Sequence, residues 1–196
     1  FGKRLWPQST LSQPKQFMCI AGPASLLQLT YNRCTHCFGQ RNVFVITRRT
    51  LRDKVMQHLP SLLPEQIITE PVGRDTAPCI GYAALCIGQL KGEEPVHVLP
   101  ADHLLEDGEE FIRVMHAATE AAKKGYLVTI GIKPTRPETG YGYLQIGEQI
   151  HDLDGAPCHR LARFTEKPSY KKAKAFVESE NFLWNAGIFA WMPQTI

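Results

Sequence analysis

Short β-branched runs separated by helical repeats recur along this chain, and that alternation limits its possible folds more than any other feature. Val43-Phe-Val-Ile-Thr47 reads as a buried strand, and Thr50 can cap a helix carrying Val55, Met56 and Leu59, with Asp53 as the third residue of a capping box. Ile67-Ile-Thr69 is a short strand, residues 76–90 a small-residue helix and residues 95–99 another strand. Residues 107–124 form the clearest amphipathic helix, with Phe111, Val114, Met115 and Ala118 spaced by threes and fours. A strand over 126–132 follows, then a Pro/Gly-rich loop through Gly142. Beyond it the character changes: residues 143–150 and 158–165 read as antiparallel strands around Asp152-Leu-Asp-Gly155. A helix over 169–178 and a strand over 183–191 complete the chain. Strand–helix alternation implies an α/β fold with a mostly parallel sheet and helices on both faces, whose ligands bind beyond the carboxyl ends of the strands.

The 196 residues fit one domain of ordinary size or a piece of a larger one, and 43% hydrophobic against 21% charged residues is enough for a sizeable core. A formal net charge of +3 with mixed signs argues against a nucleic-acid or membrane-surface binder, which concentrates basic residues on one stripe. No apolar run approaches the roughly 18 residues of a membrane span. Several cysteines lie inside apolar patterns, where they act as small hydrophobes, so a reduced, cytoplasmic setting is expected. Cys34-Thr-His-Cys37 has no second CxxC and no paired His downstream, which favours a structural role over metal or redox chemistry. The chain opens at Phe1 as if in a loop and stops at Ile196 just past a strand, so a single domain over 1–196, truncated at both ends, is expected.

Polar residues gather in the loops. Gly2 lets backbone approach a ligand, and Arg4 and Lys15 are cations suited to a triphosphate, though they read equally as solvated surface charges. In Glu70-Pro-Val-Gly-Arg-Asp-Thr-Ala-Pro78, Gly73 permits a tight turn, Thr76 can cap the next helix and Pro78 sits in its first turn. Asp102 ends a buried strand, where a carboxylate has no packing reason to be. A hard cation such as Mg²⁺ takes one or two carboxylates plus substrate phosphates, which makes Asp102 the metal-ligand candidate; an N-cap or turn role is the bland alternative. Gly140-Tyr141-Gly142 allows close backbone approach to a ligand but is also common in plain hairpins, and Glu166, Lys167 and Asn185 are hydrogen-bonding side chains that taken singly read equally as surface residues.

In order and spacing these segments resemble those of the sugar-1-phosphate nucleotidyltransferases, and Glu70–Pro78 is similar to the base-adjacent segment of their mannose-1-phosphate guanylyltransferase branch. Lys3 stands where the signature loop has Thr and adds a cation; Asp75 stands where Asn is usual, and a carboxylate also accepts from guanine N–H groups. The resemblance implies a Rossmann-like sheet of nucleotide-diphospho-sugar transferase type. It makes Arg4, Lys15 and Asp102 catalytic, with Asp102 holding Mg²⁺ and a second Asp expected beyond Ile196. Gly2, Lys3, Glu70, Gly73, Arg74, Asp75, Thr76 and Ala77 would bind nucleotide, and Gly140, Tyr141, Gly142, Glu166, Lys167 and Asn185 the sugar phosphate. The implied reaction joins GTP and mannose 1-phosphate into GDP-mannose and pyrophosphate, without nucleic acid or membrane, and allows a homo-oligomer. Another base or hexose, or a non-catalytic sugar-nucleotide-binding module, are the alternatives.

Overall fold

The computed structural model describes residues 7, 9–10, 13–73, 76–92, 94–153 and 155–195. They fall into two compact units, one of residues 1–92 and 100–112, the other of residues 93–99 and 113–196.

The first unit contains α1 (Leu26–Phe38), β1 (Val45–Arg48), α2 (Arg52–His58), β2 (Ile67–Glu70) and α3 (Thr76–Lys91). β1 and β2 pair in parallel from Val45 opposite Ile67 to Arg48 opposite Glu70, with α2 in the connection between them, as the alternation requires. Helix α1 lies outside the sequence-based expectations, although it begins with a reciprocal cap. Ser25 Oγ accepts from Gln28 N (3.3 Å) while Ser25 N donates to Gln28 Oε1 (2.8 Å), satisfying two backbone donors at the helix entrance. Leu26, Leu27, Tyr31 and Cys34 on this helix are buried. The Thr50 cap does not form: Leu51 precedes α2 and no side chain caps the helix, because residues 49–51 make a 3₁₀ turn that carries the chain into it. Thr76 is the first residue of α3 rather than its cap, and Pro78 lies in the first turn as expected.

The second unit contains β3 (Val96–Val98), the part of α4 (Gly108–Lys123) from Arg113 onward, β4 (Val128–Ile132), β5 (Gly142–Leu153), β6 (Ala156–Glu166), α5 (Tyr170–Glu178) and β7 (Phe182–Trp191). β5 and β6 form the long hairpin expected around residues 152–155. β7 pairs antiparallel with β3, β4 and β5. Trp184 faces both Ile132 and Tyr143, and Ala190 both His97 and Val128, so β4 occupies one edge of β7 while β3 and β5 share the other.

The α/β assignment holds, but the sheet is mixed. Among the described residues only β1 and β2 pair in parallel, which corrects the expectation of mostly parallel pairing. The reason is the place of β7. β3 and β4 share one direction, as successive strands in an alternating pattern should, but the late strand β7 inserts between them in the opposite sense.

Apolar periodicity sets the packing. Every even-numbered residue of β7 from Phe182 to Ala190 is buried. Ala118 and Ala122 of α4 pack with Ala190, Val128 and Ile130, and Ala173, Phe176 and Val177 of α5 with Tyr143, Phe182 and Trp184. No helix among the described residues is long and apolar enough to cross a membrane.

Gly131 of β4 has no room for a side chain. A Cβ there would lie 2.5 Å from Leu183 Cδ1 and 2.8 Å from Leu183 Cβ, and the second of these atoms cannot swing away. Gly131→Ala is therefore expected to destabilise this unit by roughly 1–3 kcal/mol, the usual cost of overpacking. Urea unfolding followed by circular dichroism measures it, and an unchanged midpoint would contradict the close packing.

Candidate functional site

In the first unit two of the three expected catalytic residues, Lys15 and Asp102, meet as a pair. Lys15 opens a 3₁₀ turn at Lys15–Phe17, and Asp102 lies in the loop before α4; the Lys15 ammonium forms an ion pair with the Asp102 carboxylate. The Asp102 side chain is 18% exposed, so its charge is poorly hydrated and the lysine stabilises it. The adjacent His103 imidazole is held below its ordinary pKa by burial, and further by the positive charges of Arg33 and Lys15. With the ring neutral, Arg33 and Lys15 against the Asp102 carboxylate leave one net positive charge, which suits a phosphate.

Arg33 carries no motif and had no assigned role. From α1 its Nη2 donates to the His103 carbonyl (3.4 Å) and to Thr30 Oγ1 (3.3 Å), and its guanidinium lies 5.3 Å from the centre of the Phe111 ring. It thus ties the Asp102–His103 loop to α1. No local spacing in the sequence signals a contact between residues seventy positions apart.

Glu70 ends β2, and its carboxylate accepts a hydrogen bond from the Cys79 thiol on α3. Burial, together with this charge and bond, pushes Cys79 up to about 11, so it remains a thiol at neutral pH. Thr76 and Ala77 are exposed at the head of α3. Gly73 does not adopt a left-handed backbone, and a Cβ there would come no closer than 3.6 Å to Arg48 Cδ, so the turn does not demand glycine as expected. Gly2, Lys3, Arg4, Arg74 and Asp75 lie outside the described residues.

Asp102 is the available ligand for a hard cation. Its two carboxylate oxygens match Mg²⁺, which is satisfied by one carboxylate together with substrate phosphates and water. Among the described residues no group of three His, Cys, Asp or Glu side chains gathers to hold a metal by itself. In the CxxC segment Cys34 is buried on α1 and raised to about 11 by that burial, a poor state for redox or metal chemistry.

In the second unit the sugar-phosphate candidates come together. Glu138, in the loop before β5, organises the turn: its Oε1 accepts from Gly140 N (2.9 Å), its Oε2 from Arg136 Nη2 (3.3 Å), and its carbonyl from the Tyr143 hydroxyl (3.0 Å). The Gly140 amide is therefore engaged within the loop. Gly142 pairs with Glu166 across β5 and β6, and a Cβ there would lie 2.8 Å from both Glu166 Oε2 and Phe164 Cζ. A side chain at this position would have to displace the ends of the Glu166 and Phe164 side chains. Lys167 follows with φ at 42°, a left-handed conformation that a non-glycine residue adopts at a cost of about 1 kcal/mol or more. It is held there by a bond from its N–H to the Tyr141 carbonyl (3.1 Å), and its ammonium lies 2.8 Å from Glu166 Oε1. Tyr141 meets the Trp184 ring edge-on with centroids 5.4 Å apart, which joins this loop to β7 beside Asn185.

These features define an α/β protein with a lysine–carboxylate pair suited to phosphate and metal in one unit and a glycine-shaped polar cluster in the other. The chain belongs to the nucleotidyl transferase family, whose model matches residues 1–194. It is 40% identical over 192 residues to a mannose-1-phosphate guanylyltransferase of Salmonella montevideo, which covers 96% of this chain and 40% of the relative. It is 39% identical to the xanthan biosynthesis protein XanB of Xanthomonas campestris pv. campestris, over 96% of this chain and 39% of that protein. The chain thus spans about two fifths of the length of these curated relatives. Its structure superimposes on the crystal structure of a mannose-1-phosphate geranyltransferase from Thermus thermophilus with a TM-score of 0.87 and 33% identity, covering 98% of this chain and 54% of that one.

Proposed function

We propose that the protein to which this chain belongs transfers a guanylyl group from GTP to mannose 1-phosphate, releasing pyrophosphate and forming GDP-mannose. The observation that carries this reading is the joint presence, in family order, of the Lys15–Asp102 pair and the Gly140–Lys167 cluster with Asn185. The Salmonella relative's name supports mannose 1-phosphate and a guanylyl group. In this reading both units belong to one catalytic domain, working in the cytoplasm on small substrates.

A phosphate oxygen of mannose 1-phosphate forms a bond to the α-phosphorus of GTP as the bond to the β-phosphate bridging oxygen breaks, and pyrophosphate leaves with that electron pair. No covalent nucleophile of the protein is needed. The work is positioning and charge neutralisation. Lys15 stabilises negative charge on the triphosphate, and Lys167 that of the sugar phosphate. Glu166 and Asn185 orient the sugar through hydrogen bonds. Asp102 would hold Mg²⁺, which supplies further neutralisation of phosphate charge when bound.

A pyrophosphate-release assay on the full-length protein, run with four nucleoside triphosphates against several hexose 1-phosphates, tests the reading. GTP with mannose 1-phosphate should be the preferred pair. Equal turnover with dTTP and glucose 1-phosphate would refute the guanylyl and mannose assignment, and binding without turnover of any pair would make the protein a non-catalytic module.

A further inference from the structure

We propose that Thr129 of β4 is a positioning residue that fixes the Asn185 amide, so that Asn185 presents only hydrogen-bond donors to an acceptor oxygen of a hexose 1-phosphate. The inference rests on reading Asn185 as a sugar-phosphate contact and deepens that reading by giving the contact a polarity.

Register is the starting point. Thr129 pairs with Phe189 and Gly131 with Asn185, so between these pairs β7 uses more residues than β4 and must bulge. Gly187 lies inside the bulge with φ at +67°, a left-handed conformation suited to glycine. There its N–H is turned onto Asn185 Oδ1 at 3.0 Å. An amide N–H can only donate, so the side-chain atom facing it has to be the oxygen, and the orientation of the Asn185 amide follows from chemistry. The Thr129 hydroxyl donates to the same oxygen at 3.1 Å. An amide oxygen has two acceptor sites, and both are then filled from within the protein. The Nδ2 group keeps its two N–H donors, and among the described residues no acceptor takes them.

The side chain is therefore polarised in advance: it offers donors to a ligand and no acceptor. Ligand oxygens that accept, on the phosphate or on a sugar hydroxyl, are favoured over groups that only donate. Gly131 belongs to the same device, because the close approach of β4 to Leu183 beside Asn185 brings Thr129 within reach along the strand.

Three variants of the full-length protein test this: Thr129→Val, Thr129→Ser and Asn185→Asp, each checked for folding by circular dichroism. Calorimetric titration and steady-state kinetics would use mannose 1-phosphate and glucose 1-phosphate, with GTP as the second substrate. Loss of one neutral hydrogen bond predicts that Thr129→Val raises KM for the hexose 1-phosphate about fivefold and leaves KM for GTP within about twofold. Thr129→Ser, which keeps the hydroxyl, should restore wild-type behaviour. Asn185→Asp keeps the acceptor toward Gly187 but replaces the donors with a negative charge, and should weaken hexose 1-phosphate binding by roughly 100-fold. In spectra of ¹⁵N-asparagine-labelled protein, the Asn185 side-chain amide should shift when the sugar is added.

If the wild type prefers a hexose 1-phosphate other than mannose 1-phosphate, the proposed function fails while the three variants still decide this inference with that sugar. It is overturned if Thr129→Val matches the wild type, if Asn185→Asp binds as tightly as the wild type, or if wild-type protein binds no hexose 1-phosphate at all.

Discussion

Asp102→Asn is expected to lower kcat by roughly 100- to 1,000-fold, the loss typical of removing one electrostatic contributor to a charged transition state. The substitution keeps shape and removes charge. Its consequences come from two sides: Lys15 loses the carboxylate that holds its ammonium, and the Mg²⁺ that Asp102 is proposed to hold would lose its anionic protein ligand. The protein should remain folded, since Asp102 is a loop residue outside the buried apolar set. Three measurements check it: kcat by pyrophosphate release, the Mg²⁺ concentration at half-maximal rate, and the thermal unfolding midpoint. The expected pattern is a large fall in kcat, a higher Mg²⁺ requirement and a nearly unchanged midpoint. Activity within about threefold of wild type would remove Asp102 from the chemistry.

The second large effect is on stability against pH. His97, on β3, is half-buried, and its Nε2 lies 2.9 Å from Thr119 Oγ1 of α4. Thr119 already donates to the Met115 carbonyl (2.9 Å), so Nε2 of the ring is the donor in this bond. Burial first, and the neighbouring His116 second, push its pKa down from 6.5 to about 4. In the unfolded chain the ring binds a proton near 6.5, in the folded chain only near 4, so between those values the unfolded state holds more protons. Stability from this group is complete above pH 6.5, falls as pH drops toward 4 and stops falling below it. Over that window the loss amounts to about 3 kcal/mol. Urea unfolding at several pH values, for the wild type and for His97→Gln, isolates this contribution: the variant should be less stable at neutral pH and have a flatter profile between pH 6.5 and 4. Parallel profiles would show that His97 is not the titrating group.

Much of the architecture was legible in the residues. The strands near 43, 67, 95, 126, 143, 158 and 183 and the helices near 76, 107 and 169 form with ends shifted by a few residues. Strong period-two and period-3.6 patterns report burial of one face, and burial is what stabilises each element. Helix α1 escaped because its sequence, Leu26-Leu-Gln-Leu-Thr-Tyr-Asn-Arg-Cys-Thr-His-Cys-Phe38, mixes polar and apolar residues, and its CxxC drew the reading toward cysteine chemistry. The signal was the Ser25–Gln28 pair, whose spacing is that of a capping box. Within the site, Asp102 stood out because a carboxylate closing an apolar strand has no packing purpose. Arg33, Glu138 and Thr129 did not, since each acts through another residue and none has an unusual local setting.

Sequence by itself determined which segments other than α1 are strands and helices, the succession that gives β3 and β4 a common direction, and the polar residues offered in the loops. Tertiary structure alone decided that β7 inserts between β3 and β4 and turns the sheet antiparallel there, and that Lys15 meets Asp102. It also decided that Thr129 and Gly187 turn the Asn185 amide. The division has a physical cause. Periodicity and capping depend on neighbours within a few positions, whereas strand order and amide orientation depend on partners that are remote in sequence. Thr129 and Asn185 are 56 residues apart, and their hydrogen bond exists because a bulge in β7 and a glycine in β4 bring two strands to one register.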